Sequence, residues 1–70
     1  MERLKISYKA ARYNADLTLE QARVLIGVNR ETLSNYENGI TIPRADVLAK
    51  MAEVYGCSVA DFKEVKKNAV

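Results

Sequence analysis

Seventy residues suffice for one small domain, and a chain of this length buries only a limited core. It has 11 basic and 9 acidic residues, and a formal net charge of +2 is weak evidence for a nucleic-acid partner. The sequence contains no histidine, which excludes histidine-based acid–base catalysis and histidine-ligated metals. One cysteine and three scattered glycines also exclude a zinc knuckle and a glycine-rich phosphate loop. We therefore expect a protein that is not an enzyme and needs no cofactor or metal.

The sequence also indicates a compartment. No segment approaches the roughly 20 consecutive apolar residues of a membrane span, and the first residues, MERLKISYKA, lack the apolar region of a signal peptide. The lone Cys57 cannot form an internal disulfide, which fits a reducing environment. We expect a cytoplasmic protein with no membrane association.

The first part of the chain carries the signals of two helices. Apolar residues recur there at helical spacing: Leu4, Tyr8, Ala11 and Ala15. This spacing predicts helix one at residues near 4 to 15. Thr18 followed by Gln21 forms a capping-box pattern for helix two, which ends where Gly27 allows a left-handed backbone.

Helix three is predicted from its two ends and its inner face. Asn29 is a favourable N-cap and Gly39 a favourable stop, so the helix should occupy about residues 30 to 38. Leu33 and Tyr36 lie three residues apart and should anchor its inner face.

Two more helices are predicted before the end of the chain. Pro43 is tolerated at or just before the first turn of helix four, which Gly56 should close. The apolar stripe of this helix consists of Val47, Leu48, Met51 and Tyr55. Ser58 with Asp61 three residues later predicts the cap of a short fifth helix that extends to about Val65.

These elements define the expected fold class. No strand pattern competes with the helices, because alternation of apolar and polar residues never persists. We therefore expect a single all-α domain over residues 1–70, a compact five-helix fold with its core at about residues 4–65 and a basic C-terminal tail at 66–70.

Two segments of the chain and several single residues, taken in order and with their spacing, match the sequence pattern of a known family. The segments are LTLEQARVLIGVNRETLSNYENG and, after a proline, VLAKMAEVYGCSVADF. The telling positions, in order, are Arg12, Gly27-Val28, Tyr36-Glu37-Asn38-Gly39, Pro43 and Tyr55-Gly56. From about Leu4 to Phe62 the chain resembles the lambda-repressor-like Cro/C1-type (XRE) helix-turn-helix domain.

This resemblance implies a function as well as a fold. The third of five helices would enter the major groove of a double-stranded DNA operator, and the protein would repress or activate transcription. We expect a sequence-specific regulator of the phage or mobile-element repressor (Cro-like) type. The alternative is an antitoxin or antagonist that uses the same fold mainly to bind a protein partner.

Helix three supplies the residues expected to contact bases, which are Asn29, Arg30, Glu31, Thr32, Ser34 and Asn35. Arg30 could bridge phosphates or pair with guanine, and Asn35 could pair with adenine. Glu31 can only accept hydrogen bonds, which suits a cytosine amino group. The alternative for all six is an ordinary solvated surface.

A second set is expected to hold the DNA backbone without reading sequence: Thr18, Asn38, Arg44, Lys5 and Lys9. Thr18 could present its hydroxyl and the adjacent amides to a phosphate, or serve only as a helix cap. Lys5 and Lys9 should share one face of helix one. By resemblance, Arg12 and Glu37 are assigned instead to a buried ion pair between helix one and the end of helix three.

The chain also departs from the family pattern in helix two. Leu19 replaces a glutamine that usually contacts phosphate, and Arg23 replaces a small alanine, with Ala22 beside it. Val24 and Leu25 are apolar where the family is often polar. We expect these two to pack within the fold, the alternative being an exposed patch for a protein partner.

A homodimer, where one forms, is expected to use the region of helices four and five. The apolar residues there are Tyr55, Cys57, Val59 and Phe62. Tyr55 and Phe62 are more typical of a core than of an interface, and Cys57 of a small buried residue. A two-fold dimer would require a palindromic operator with half-sites about 34 Å apart.

Overall fold

A computed structural model describes residues 5–63, which form four α-helices and one 3₁₀ turn. In chain order these are α1 (Tyr8–Asn14), α2 (Leu19–Ile26), α3 (Arg30–Glu37), α4 (Ala45–Tyr55) and the 3₁₀ turn Val59–Asp61. No helix in this part of the chain is both long enough and apolar enough to cross a membrane. The predicted all-α class is confirmed, but the predicted fifth helix is replaced by the 3₁₀ turn.

Polar side chains fix the starts of three helices. The Ser7 hydroxyl accepts a hydrogen bond from the Ala10 N–H (3.1 Å), and Asn29 Oδ1 accepts one from the Thr32 N–H (2.7 Å). Thr18 and Gln21 form a reciprocal capping box, with N···O distances of 3.1 and 2.9 Å. Each bond satisfies a backbone donor that the first helical turn leaves without an intrahelical partner.

The start of helix one corrects the sequence-based prediction. The helix begins at Tyr8, because the residues before it are extended and pair with the other end of the described chain. The Ile6 N–H donates to the Asp61 carbonyl (2.9 Å), and the Lys63 N–H donates to the Ile6 carbonyl (2.6 Å). Leu4, the first residue of the predicted apolar stripe, lies outside the described residues.

The same pairing explains the missing fifth helix. After the 3₁₀ turn, Phe62 is extended and lies parallel to Ile6, so the chain does not continue as a helix. The predicted cap is partly present, since the Ser58 N–H donates to Asp61 Oδ2 at 3.0 Å. Val65 and the basic tail at 66–70 lie outside the described residues.

The core lies between the four helices and the Ile6–Phe62 pairing. Its buried apolar members are Tyr8, Ala11, Ala22, Ile26, Leu33, Tyr36, Met51, Ala52, Tyr55 and Phe62. Leu33 of α3 and Met51 of α4 are the largest fully buried side chains of this core. Phe62 packs edge-to-face on Tyr8 and Tyr55, with ring centroids 5.0 and 6.4 Å away.

A buried ion pair links α1 to the end of α3. Arg12 Nε lies 2.7 Å from Glu37 Oε2, and Arg12 Nη2 lies 3.1 Å from Glu37 Oε1. The remaining Nη1 donates to the Leu17 carbonyl at 3.1 Å. The two side chains are only 7% and 5% exposed. The hydrogen bonds that Arg12 donates to Glu37 raise the pKa of Arg12, so its guanidinium stays charged at all ordinary pH values.

Removing one partner of this pair should destabilise the protein strongly. We expect Arg12→Ala or Glu37→Ala to lower the free energy of unfolding by about 3–5 kcal/mol, because the remaining charge stays buried without a partner. Urea denaturation measures this loss. Arg23→Ala is the matched control, because its pair with Glu20 is exposed and should contribute at most about 1 kcal/mol. Wild-type stability in both ion-pair variants would contradict this role.

The hydroxyl of Tyr55 is buried close to the ion pair. It has no hydrogen-bond partner among the described residues. Burial, reinforced by the negative charge of Glu37, raises the pKa of Tyr55 to about 12, from an ordinary value of 10.0. The folded protein therefore holds the phenolic proton more tightly than the unfolded chain does.

This shift predicts an alkaline loss of stability. The contribution of the neutral phenol is complete below pH 10, the ordinary pKa, and is lost as the pH rises through about 12. We expect Tyr55→Phe to remove this part of the alkaline destabilisation while leaving stability at neutral pH equal or slightly higher, because no hydrogen bond is lost. Thermal melts between pH 8 and 12 measure it. Tyr13→Phe is the control, because Tyr13 is exposed, and this variant should melt like the wild type over the whole pH range. If Tyr55→Phe loses as much stability at alkaline pH as the wild type does, the buried phenol of Tyr55 is not the cause of the loss.

Candidate nucleic-acid interface

A tight glycine turn sets the angle between α2 and α3. Gly27 has φ +91°, a conformation that side-chain-bearing residues rarely adopt, and its N–H donates to the Arg23 carbonyl at 2.8 Å. The Val28 N–H donates to the same carbonyl at 3.0 Å, and its side chain packs on the core. The chain can then start a second helix at once with Asn29 as its cap.

The buried side of α3 determines which side faces outward. Leu33 and Tyr36 lie in the core, and Glu37 turns toward Arg12. Because a helix repeats every 3.6 residues, the opposite side carries positions spaced by three, four and seven. These are Glu31, Ser34, Asn35 and Asn38, which we call the outward row. The outward row is polar throughout.

The residues predicted to contact bases do not all lie in this row. Glu31, Ser34 and Asn35 belong to it, whereas Arg30 and Thr32 flank it on opposite sides. Asn29 precedes the helix, where its side-chain oxygen is occupied by the Thr32 N–H and its amide nitrogen remains to donate.

Arg30 lies toward α2. A hydrogen bond from Arg23 lowers the pKa of Glu20, and the positive charges of Arg23 and then Arg30 lower it further. Arg30 is therefore close enough to interact with Glu20 electrostatically. Its side chain is exposed at the boundary between α2 and α3, which suits a backbone phosphate as well as a base.

The predicted phosphate contacts lie in several elements. Thr18 caps α2, and Asn38 follows α3, donating from Nδ2 to the Ser34 hydroxyl at 3.4 Å. Arg44 occupies the N-cap of α4 without making a capping hydrogen bond in the described structure. Its side chain is 85% exposed, with its guanidinium 3.7 Å from Asp46.

One prediction about the lysines is wrong. Lys5 and Lys9 do not share a helix face, because Lys5 lies in the extended segment before α1. Lys9 is exposed on α1, with its ammonium group 5.9 Å from the centre of the Tyr13 ring. This separation arises from the Ile6–Phe62 pairing, which periodicity along the chain cannot reveal.

A surface cavity of about 520 Å³ lies where α1 meets α2. Thr18 and Leu19 line it together with Tyr13, Asp16 and two further residues of this segment. Asp16 adopts a left-handed conformation (φ +58°) and brings a carboxylate to the cavity. The negative charge of Asp16 opposes phosphate binding at this cavity. Sequence reasoning did not assign Asp16 this effect, although it lies only two residues before the Thr18 cap.

The outer face of α2 corrects another prediction. Val24 and Leu25 are 57% and 53% exposed, so they do not pack within the fold. Ala22 and Ile26 already fill the inner face, and helical geometry directs Val24 and Leu25, which lie between them, outward. Ala22 is completely buried, whereas Arg23 lies outside and pairs with Glu20 at 2.6 Å.

Two helices joined by a glycine turn, with an anchored inner side and a polar outward row, define a DNA-binding helix-turn-helix domain. Residues 9–62 match the helix-turn-helix family HTH_3. The chain belongs to this Cro/C1-type (XRE) family, whose members are DNA-binding and not catalytic. No curated protein sequence matches the chain at a significant level.

Proposed function

We propose that the protein is a sequence-specific regulator of transcription, a repressor of the phage or mobile-element type, with α3 in the major groove of its operator. The observation that supports this most directly is the outward row, because α3 is held from behind by Leu33 and Tyr36 and presents only polar side chains in front. A helix with this arrangement can exchange hydrogen bonds with base edges without disturbing the core.

Base recognition is assigned first to Asn35. It lies in the middle of the outward row, and a carboxamide can donate to and accept from adenine at the same time. Ser34 is partly engaged by Asn38, so it suits a short or water-mediated contact. Arg30 can reach a guanine edge or a phosphate from the side of the row. Asn29 and Thr32 are assigned to the edges of the same interface.

Backbone contacts are assigned to the residues around α3. Arg44 is the strongest candidate, since arginine is a poor N-cap and its guanidinium, although 3.7 Å from Asp46, is exposed enough to contact a phosphate. Thr18 and Asn38 can add neutral hydrogen bonds, and Lys9 and Lys5 can add charge from a greater distance. Leu19 is half-buried against the core and cannot take the place of a phosphate-binding glutamine.

The protein is further proposed to bind as a two-fold dimer through the segment after α4. Val59 is exposed, so it can contact a second copy. Tyr55 and Phe62 are buried in the core and are not free for that purpose, and Cys57 is half-buried. A dimer of this kind requires an operator with two inverted half-sites one helical turn apart, about 34 Å.

Selection of bound duplexes from a random DNA library tests the proposal. We expect the wild type to enrich a palindromic consensus. Asn35→Ala should weaken selection at one defined position per half-site, by about 1–3 kcal/mol, because a bidentate base contact is lost. Arg30→Ala should either relax a guanine position or lower affinity for all sequences equally, according to whether Arg30 contacts base or phosphate.

The dependence of affinity on salt separates backbone contacts from base contacts. Arg44→Ala should lower affinity for every duplex and reduce the logarithmic salt slope by about one unit. Lys50→Ala is the control, because it also removes one positive charge from an exposed pair, here with Glu53 within α4, and Lys50 is not a proposed DNA contact. Failure to enrich any consensus, or binding that ignores Asn35→Ala and Arg30→Ala, would contradict the proposal.

The second candidate function is an antitoxin or antagonist that binds a protein partner through α2. It is favoured by the exposed Val24 and Leu25, which line a shallow apolar groove of about 380 Å³ with Leu17. Exposed aliphatic side chains side by side are typical of a contact surface.

A double variant distinguishes the two functions. Val24→Ser with Leu25→Ser removes the apolar surface and, because both side chains are exposed, should leave the thermal melt close to that of the wild type. For the transcriptional regulator, this variant should retain its DNA consensus and affinity. For the antagonist, it should lose a stoichiometric complex with the product of the neighbouring gene, which the wild type forms in size-exclusion chromatography. The absence of such a complex with wild-type protein would remove the second candidate.

A further inference from the structure

Glu31 has an unusual place in the outward row of α3. It lies in the first helical turn, the part of a recognition helix that reaches deepest into the groove, on the side opposite Leu33 and Tyr36. The other members of the row are Ser34, Asn35 and Asn38. The row therefore contains one full charge, and that charge is negative.

The carboxylate of Glu31 is also uncommitted in the described structure. Four other carboxylates lie within ion-pair distance of a basic side chain: Glu20, Glu37, Asp46 and Glu53. Within residues 5–63, Glu31 makes neither an ion pair nor a hydrogen bond, although Arg30 is its neighbour in sequence. Arg30 makes no ion pair with Glu31, so no basic side chain within residues 5–63 neutralises the Glu31 carboxylate by direct contact.

The four bases differ in the hydrogen-bond donors and acceptors that they would present to the Glu31 carboxylate in the major groove. A carboxylate only accepts hydrogen bonds. Guanine presents two acceptors in the major groove, thymine presents one, and adenine places an acceptor beside its amino donor. Cytosine alone presents its amino donor without an acceptor on the same base. A buried, unpaired acceptor facing another acceptor is costly, so rejection of the wrong base adds to selection of the right one.

We infer that Glu31 is a specificity-determining residue that demands a cytosine at one position of each operator half-site and rejects thymine there through its negative charge. This inference rests on the proposed function, since it assumes that α3 lies in the major groove. The same charge repels the phosphate backbone, which lowers affinity for DNA that lacks the correct base. Glu31 thus sets selectivity at the expense of overall affinity.

A structural role of Glu31 must be separated from this one. An acidic residue in the first turn of a helix interacts favourably with the helix dipole, so Glu31→Gln can lower stability slightly whatever Glu31 contacts. Changes in melting temperature or in total affinity therefore do not decide the question. A change in base preference confined to one position does, because loss of helix stability would weaken all positions together.

The experiment compares wild type, Glu31→Gln and Glu53→Gln by selection from a random duplex library, followed by titration of single duplexes. Glu53→Gln makes the same charge change on α4, outside α3. The titrated duplexes carry cytosine, thymine or 2-pyrimidinone, which is cytosine without its amino group, at the selected position. All titrations use one salt concentration.

The wild type and Glu53→Gln should prefer cytosine over thymine at that position by about fivefold or more, and removal of the amino group should cost them a similar factor. Glu31→Gln should lose this preference at that position alone, since a carboxamide also donates to thymine, and should bind unrelated DNA more tightly than wild type. An unchanged consensus in Glu31→Gln would overturn the inference while leaving the proposed function intact. A wild type without any consensus would overturn the proposed function itself.

Discussion

The buried ion pair between Arg12 and Glu37 is the interaction on which the orientation of α3 depends. Apolar contacts of Leu33 and Tyr36 decide which side of α3 is buried, but dispersion and burial have little directionality of their own. The two-pronged contact has a fixed geometry, and its third bond, to the Leu17 carbonyl, ties in the link between α1 and α2. With Asn29 fixing the other end of the helix, both ends of α3 are held by directional bonds, so its rotation, and hence which side chains face outward, is determined.

Local signals explain why the helix-turn-helix pair could be predicted closely from sequence. The Thr18–Gln21 capping box and the left-handed Gly27 act within a few residues, so their sequence pattern implies their structure. The two ends of the described chain could not be predicted this way. Ile6 and Phe62 pair across nearly its whole length, and this pairing replaces the expected start of helix one and the expected fifth helix. No periodicity in either segment indicates the partner, because the information lies in the packing of Tyr8, Phe62 and Tyr55.

The candidate interface was predictable in residue type but less so in direction. Sequence reasoning identified the polar residues of α3 together, and only the burial of Leu33 and Tyr36 separates the outward row from the flanking Arg30 and Thr32. For Val24 and Leu25 the apolar character suggested packing, whereas the inner face of α2 was already complete with Ala22 and Ile26. In both examples the residue type can be read from the sequence, whereas the side of the helix that faces outward depends on which neighbouring residues fill the core.

The distribution of charge around α3 separates affinity from specificity in the proposed binding mode. The outward row carries no positive charge, so it gains nothing from the phosphate field and is disfavoured by it at Glu31. The attraction must come from the surrounding residues, above all the exposed Arg44, whose position does not depend on the bases. A small domain with a net charge of only +2 cannot hold DNA tightly by electrostatics alone. The operator must therefore be bound more tightly than other DNA because of the hydrogen bonds that the outward row makes to its bases. In the proposed dimer these hydrogen bonds are repeated in the second half-site.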